Sequence, residues 1–372
     1  MRSVTTTLLG LGLAATLPLA ANAQHLVYGS FVPGTDFINT HTLPEAFEMI
    51  SEATDGKVSW DLIVGGQLAD GVGTFSAVED RLMDGGLISP FFSPSTLPSL
   101  AFLYSVVVPT EDVVALTGAV TETLFLNCPQ CLADSAKMNS IPFGPYAAPP
   151  TLLMCTKPVA TLDDLRGMRV RAIGGIGDMI NESGATQVSM TLAESVTMLQ
   201  RGGIDCAVGA ADWLVTYGYG EKAKFVTAEP LGTYAPVIGL QMNHDAWAEM
   251  SETGKTATLR ASAYISARHA ISNFVVKNGE VLEDQIANNG VAMVETADDL
   301  RDFIRAFPDG NRPARVAAGE TLGVQDPGAL MDAYAKNLEK WLTLSPEIGT
   351  DVDKFTEALW AEVYSKLDPG AL

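Results

Sequence analysis

At 372 residues, 47% hydrophobic and 18% charged, the chain has the composition of a folded globular protein and the length for two lobes around sizeable cores. A formal charge of −21 argues against nucleic acid as a partner, because phosphates would be repelled overall. It does not exclude a small anion: one desolvated arginine in a cleft outweighs distant surface charge that salt screens.

The first 23 residues have the pattern of an export signal. Arg2 supplies the positive end, Leu8 to Ala20 the apolar run, and Ala21-Asn22-Ala23 the small-residue cleavage site before Gln24. The run is too short for a membrane span, and Pro18 interrupts it. No lipobox cysteine stands at the cleavage point, so release in soluble form is expected. Later segments are too short or too polar to cross a bilayer, so a transport channel is not expected either.

His25 to Gly29 reads as a strand, followed by a turn at Pro33-Gly34. Leu43, Phe47 and Ile50 then fall at helical spacing between Asp36 and Asp55, and Val58, Trp60, Leu62 and Val64 alternate as a second strand. Strand, helix, strand in this order predicts a parallel sheet with a crossover helix. A further helix with Phe75, Val78 and Leu82 on its buried stripe leads to a third strand near Leu87-Ile88. Ligands of open parallel sheets sit at the carboxyl ends of the strands. That rule places Phe31, Gln67, Asp70, Ser89 and Phe91 around one crevice. The plain alternatives are packing for the two phenylalanines and helix capping for Gln67.

The proline-punctuated stretch 93–109 is not expected to form one regular element. A helix from about Glu111 to Leu126 should end at Cys128-Pro129-Gln130-Cys131, and Ile141 to Tyr146 should form a strand. Tyr146 and the Ala147-Ala148-Pro149-Pro150 run mark a short crossing, a natural hinge, into a second lobe that opens at Thr151.

The most informative stretch runs from Thr161 to Trp213. Thr161 and Asp164 have capping-box spacing, and Gly167 stops the turn they begin. Arg169 and Arg171 alternate with Met168, Val170 and Ala172, so the arginines share one strand face. Gly174-Gly175-Ile176-Gly177 then turns the backbone into a helix around Met179-Ile180. A guanidinium at a strand end beside a helix N-terminus suits an anion, offering a planar fork of donors next to a positive dipole. A second capping box, Thr191 to Glu194, starts a helix with Leu192, Val196 and Leu199 on its apolar stripe.

This order of elements resembles the TRAP-transporter periplasmic substrate-binding proteins, solute receptors of DctP type. The pieces that carry the resemblance are Asp164-Leu165-Arg166-Gly167, Arg169-Val170-Arg171, Gly184-Ala185, Glu194, Leu199-Gln200-Arg201-Gly202 and Ile204-Asp205. It implies an α/β fold of two lobes, each a mostly parallel sheet flanked by helices, with a long helix spanning both. It also implies that Arg171 pairs with a substrate carboxylate, and that Gly65-Gly66-Gln67-Leu68 is the family's turn before a helix. Arg169 is then assigned to solvent, because the family accepts lysine or arginine there. Cys206-Ala207-Val208-Gly209 replaces the family's usual polar run after the aspartate, so the ligand is expected to differ from the better-known ones.

Trp213, close to a strand end, is expected to wall the cleft, and Asp212 to accept a hydroxyl or ammonium unless it serves as a helix N-cap. Val237 to Met242 should return to the first lobe, Asn243 should cap the next helix, and a long helix should run from about Glu252 to Asn288 unless Asn278-Gly279 breaks it. The expected partition is 1–23 signal, 24–149 with 235–275 as lobe one, 150–234 with 276–345 as lobe two, and 346–372 as a helical extension. Cys128 with Cys131 and Cys155 with Cys206 is the preferred disulfide pairing, the latter two lying in apparent neighbouring strands; the other two connectivities stay open. No metal or cofactor is expected.

The resulting expectation is capture of a small organic anion, a carboxylate or sulfonate, by a monomer that passes it to ion-driven membrane subunits. The alternatives are a periplasmic enzyme and a receptor for an ATP-driven importer. The four histidines, His25, His41, His244 and His269, form no nucleophile elbow, paired metal spacing or phosphate loop.

Overall fold

The computed structural model describes residues 23–372 apart from Pro109; the export-signal pattern lies outside the described residues but for Ala23. Among the described residues, eleven strands form two sheets. They are β1 (Gln24–Gly29), β2 (Val58–Ile63), β3 (Gly85–Ile88), β4 (Ser140–Tyr146), β5 (Leu152–Cys155), β6 (Arg169–Arg171), β7 (Thr186–Val188), β8 (Cys206–Gly209), β9 (Phe225–Thr227), β10 (Val237–Asn243) and β11 (Ala292–Val294). The first sheet has the order β2-β1-β3-β10-β4 and the second β11-β9-β5-β8-β6-β7. Each is parallel except for one strand: β10 runs against β3 and β4, and β5 against β8 and β9. The odd strand in each sheet immediately follows a crossing between lobes, so the chain reverses direction when it arrives. No described helix is long and apolar enough to cross a membrane.

The crossings are tied to one another rather than left as free linkers. Val108 bridges Thr233, Ala148 N–H donates to the Tyr234 carbonyl at 3.0 Å, and Thr151 N–H donates to Gly232 at 2.9 Å. A third connection is the long helix. Glu252–Arg268 continues through a wide π turn at His269–Lys277 into Asn278–Asn288, so Asn278-Gly279 does not break it. Its first part packs on β4 and the Leu43–Ala53 helix, and its last part on the Trp213–Thr216 turn of the second lobe.

Several expectations change in detail. Pro98 starts a helix, Pro98–Ser105, inside the stretch read as irregular, because proline is tolerated in a first turn. Leu82 lies beyond the Thr74–Glu79 helix and is exposed, leaving Phe75 and Val78 as its buried stripe. Gly174 to Gly177 is no loop but the first turn of the Gly174–Glu182 helix.

Residues up to 345 were expected in the second lobe, yet Leu330, Tyr334 and Trp341 of the Pro327–Ile348 helix join the first core. Gly118 makes this possible: a Cβ there would meet the Trp341 ring at 2.2 Å, so the indole lies directly on the Val113–Glu122 helix. Trp341 Nε1 donates to Glu122 at 2.7 Å, where Lys340 also donates.

Both preferred disulfides are present, Cys128–Cys131 and Cys155–Cys206. The second joins directly paired residues of β5 and β8, which are neighbouring strands.

Candidate functional site

A cavity of about 740 Å³ lies between the two sheets. Strand β6 delivers Arg171 to its wall with the side chain only 1% exposed. The guanidinium donates through Nε and Nη2 to the Met190 carbonyl, both at 3.2 Å, and through Nη1 to the Val208 carbonyl at 3.4 Å. Three of the five N–H donors of the fork are thus used by backbone, which fixes its orientation. No carboxylate of the described residues lies within ion-pair distance of it. A buried cation held only by neutral carbonyls retains an unmet demand for negative charge.

The helix N-terminus beside this arginine is not the one the glycine run suggested. Thr191, Leu192, Ala193 and Glu194, the first turn of the Leu192–Gln200 helix, line the cavity, whereas of the other helix only its N-cap, Ile173, does. The capping box is present: Glu194 N–H donates to Thr191 Oγ1 at 3.3 Å, and Thr191 N–H donates to the Glu194 carboxylate at 2.9 Å. The Thr191 N–H and the Thr191 hydroxyl, which also donates to that carboxylate at 2.9 Å, hold the Glu194 carboxyl below its ordinary range, so it stays ionised as a cap.

Trp213 lines the cavity. Its ring lies 5.8 Å from the Arg171 guanidinium carbon and fits against Gly209, where a Cβ would come within 2.0 Å of the indole. Asp212, beside it, also lines the cavity and is 3% exposed. It makes no side-chain cap to its helix, its backbone N–H donates to Asn278 Oδ1 at 2.9 Å, and its Oδ1 has no hydrogen-bond partner. Burial, helped by the Asp36 carboxylate, pushes the Asp212 carboxyl up to about 7.

Of the other expected residues, Phe31, Asp70, Ser89 and Tyr146 line the cavity. Asp70 does so at the exposed rim, where its carboxylate accepts from the N–H groups of Val72 and Gly73 at 3.1 and 2.7 Å. Two expectations fail. Gln67 does not line the cavity: its side chain folds back to donate to the Val64 carbonyl at 3.0 Å and stays exposed. Phe91 does not line it either, because the tight turn Pro90–Phe92 directs Phe92 inward and packs Phe91 against Tyr104 in the second core. Arg169, assigned to solvent, is half-exposed but ion-paired, donating through Nε to Asp205 at 3.2 Å and through Nη2 to Gly202 at 2.8 Å.

Sequence reasoning missed Asp36, Tyr104, Tyr217, Tyr234, His269, Asn273 and Phe274, all on the cavity wall. Three of these come from the π turn of the long helix, a distortion frequently found where helices build sites. His269 is held neutral there, its pKa driven down to about 3 by burial and by the charge of Lys277. Its ring packs 4.5 Å from Tyr146 and 4.7 Å from Phe274. Polar residues spaced like His269 and Asn273 within a buried helix face were the available signal.

Burial raises the hydroxyl pKa of Tyr104, Tyr219 and Tyr234, and the Arg171 charge opposes that rise in all three. Burial also raises Tyr146 and Tyr217, and there the Asp36 charge adds to it. The cavity therefore has a positive end at Arg171 and an acidic end at Asp36 and Asp212, with aromatic walls between them.

Residues 151–309 match the family described as bacterial extracellular solute-binding protein, family 7 (DctP). Among solved structures, a TRAP periplasmic solute-binding protein from Bordetella bronchiseptica with bound (R)- and (S)-mandelate superposes with a TM-score of 0.73 at 22% identity, covering 85% of this chain and 99% of that one. A marine metagenome TRAP solute-binding protein specific for aromatic acid ligands, in complex with 3-hydroxybenzoate, gives 0.76 at 17% identity over 86% and 99% of the two chains. One from Chromohalobacter salexigens with bound D-glucuronate gives 0.69 at 18% identity over 83% and 99%. This chain has the TRAP solute-binding protein fold. In that fold the two mixed sheets are the two lobes, and the cavity lined by Arg171, Trp213 and Asp212 is the cleft between them.

Proposed function

We propose that this protein captures a small organic acid in the cleft between its lobes and hands it, chemically unchanged, to the membrane subunits of a TRAP-type ion-driven transporter. It acts as a monomer outside the cytoplasmic membrane, after cleavage behind Ala23 has removed the signal-like residues 1–23. The observation that carries the proposal is Arg171: a buried guanidinium on the cavity wall, oriented by carbonyls and lacking a carboxylate of its own. A ligand carboxylate would accept from the two remaining N–H donors in a charge-assisted pair. Water is excluded around it by Trp213, Tyr104 and Tyr234.

A cavity of about 740 Å³ with this many aromatic side chains suits a ring-bearing acid better than a short aliphatic one. Phe31, Phe92, Tyr146 and Trp213 are the walls such a ring would touch. Solved structures of this fold hold mandelate, 3-hydroxybenzoate and D-glucuronate, which makes these three the first compounds to try. The enzyme alternative gains nothing from these comparisons, since the matching family and the solved structures are solute receptors.

The test is native mass spectrometry of freshly purified protein, then a thermal-shift screen with those three acids. A binder should raise the melting temperature by mass action. Arg171→Ala should remove the shift, and an unchanged shift in that variant would take Arg171 out of the site.

A further inference from the structure

Resting on the capture proposal, we infer that the ligand is a zwitterion: Arg171 takes its carboxylate, and Asp212, together with Asp36, takes an ammonium at its other end. The first ground is Asp212 itself. Its side chain lines the cavity, is 3% exposed, and has an oxygen with no partner. Its position at the start of the Trp213–Thr216 turn offers a capping role that it does not use. The backbone N–H groups of Asp212 and Trp213 pull the carboxyl down without overcoming its burial, and a buried carboxylate oxygen left without a donor is costly unless something supplies one.

The second ground is Asp36, which arrives from the other lobe. It is also buried on the cavity wall, and accepts one backbone N–H, from Ile38 at 3.0 Å. Burial raises its pKa as well, against the pull of that N–H and of Lys277. Lys277 acts on both acids at a distance but makes no ion pair among the described residues. The charged or titratable groups facing Asp212 are therefore Asp36, Lys277 and the hydroxyls of Tyr217 and Tyr234, with His269 neutral nearby.

The two ends of the cavity make opposite demands. A simple monocarboxylate would satisfy Arg171, yet it would bring a third acidic group into a closed space with Asp36 and Asp212. An ammonium at the far end of the same molecule removes that repulsion and supplies the missing donors. Tyr146 and Tyr217, aromatic residues of the cavity wall within reach of the Asp36 charge, suit a cation further. Because Asp36 and Asp212 come from different lobes, an ammonium between them would also draw the cleft shut.

The experiment is calorimetry on the mature protein, freed of carried-over ligand by unfolding and refolding. Matched probes differ only by an amino group at the end away from the carboxylate: butyrate and 4-aminobutyrate, hexanoate and 6-aminohexanoate, 4-methylbenzoate and 4-(aminomethyl)benzoate. At least one amino member should bind about tenfold or more tightly than its partner. Asp212→Asn should erase that preference, bringing the ratio of the two affinities within each pair close to one. Arg171→Ala should abolish binding of both members, so its failure would sink the capture proposal rather than this one.

Titrations at pH 7 in phosphate and in Tris should show proton release when the amino member binds, as the carboxyl of Asp212 becomes fully ionised. Bare acids binding as tightly as amino acids in every pair would overturn the inference. So would a preference that survives Asp212→Asn, or proton uptake in place of release. Should no probe bind, the ligand released from freshly purified protein decides: a basic nitrogen in it supports the inference, and its lack overturns it.

Discussion

Arg169 and Arg171 leave the same short strand, two residues apart, and end in opposite circumstances. Arg169 is half-exposed and already paired with Asp205, which also accepts the Arg169 backbone N–H at 2.8 Å. Partial burial alone would raise the Asp205 carboxyl; the Arg169 N–H and guanidinium overcome that and lower it. Arg171, at the strand's inner end, is buried, meets only carbonyls, and opens on a cavity. The residue type is the same and the chemistry differs. A cation whose demand is met from within the protein is structural, and one whose demand is left unmet is available to a ligand.

Breaking the available member of the pair should have the largest effect. Arg171→Ala leaves a bound carboxylate buried without its counter-ion, a loss of about 3–5 kcal/mol, or roughly two to four orders of magnitude in affinity. Calorimetry with whichever acid binds the unaltered protein measures it. A loss of less than tenfold would mean that the two arginines are functionally alike.

Next in size is the covalent frame that keeps them apart. Cys206 pairs with Val170, the residue between the arginines, and is bonded to Cys155 on the neighbouring strand β5. That disulfide closes a loop of sequence separation 51, whereas Cys128–Cys131 closes one of 3. Loop-closure entropy then assigns about 4 kcal/mol to the first and about 2 kcal/mol to the second. The double replacement Cys155→Ala with Cys206→Ala should lower the denaturation midpoint more than the corresponding change at 128 and 131. Equal losses in chemical denaturation would show that the frame around β6 has no special weight.

The acidic end responds to pH, and the sign can be worked through. Asp212 has a folded pKa of about 7, above that of an unfolded aspartate, so the native state binds the extra proton. Its stabilising contribution is present at low pH and is lost as pH rises through about 4 to 7; Asp36, also raised, acts in the same direction. His269 works oppositely: with its pKa lowered to about 3, it favours the fold near neutrality and loses that contribution as pH falls below about 6.5. The two trends overlap, so a bare melting curve is a poor readout. The difference between Asp212→Asn and the unaltered protein isolates one of them: the variant should gain relative stability between pH 4 and pH 7, by up to a few kcal/mol. A flat difference would mean that Asp212 finds a donor in solution.

How much of this was legible follows from where the information sits. Trp213 and both capping boxes are local, marked by a strand end and a spacing of three residues, whereas alternation puts Arg169 and Arg171 on one strand face and only the family resemblance singles out Arg171. The long helix and the Cys155–Cys206 bond followed from periodicity and strand adjacency. Phe91 was misplaced because one residue of register in a tight turn exchanges it with Phe92, and hydrophobicity cannot tell them apart. Asp36 carries no local mark, since an aspartate before a helix reads as a cap; only the approach of the opposite lobe makes it part of a charged pair with Asp212. His269, Asn273 and Phe274 depend on a widened helical turn that ordinary helical spacing does not announce. The Pro327–Ile348 helix was given to the wrong lobe because its amphipathic face shows that it packs, not against what.

The smallest effect should come from the paired arginine, and it makes the comparison sharpest. Arg169→Ala removes an ion pair whose side chains are 46% and 32% exposed. Screening and side-chain entropy reduce such a pair to about 1 kcal/mol or less, a shift of about 2 °C or so in melting temperature. The backbone N–H of residue 169 still donates to Asp205 in the variant, so the strand keeps its attachment there and β6 should hold its register. Affinity for the acid should therefore stay within about threefold, well inside one order of magnitude. A large loss at Arg169 would mean that the strand end is held by the surface pair, and that Arg171 is positioned by its neighbour rather than by the Met190 and Val208 carbonyls. An additive double variant, Arg169→Ala with Arg171→Ala, would separate those two cases: independent sites add, and a positioning chain does not.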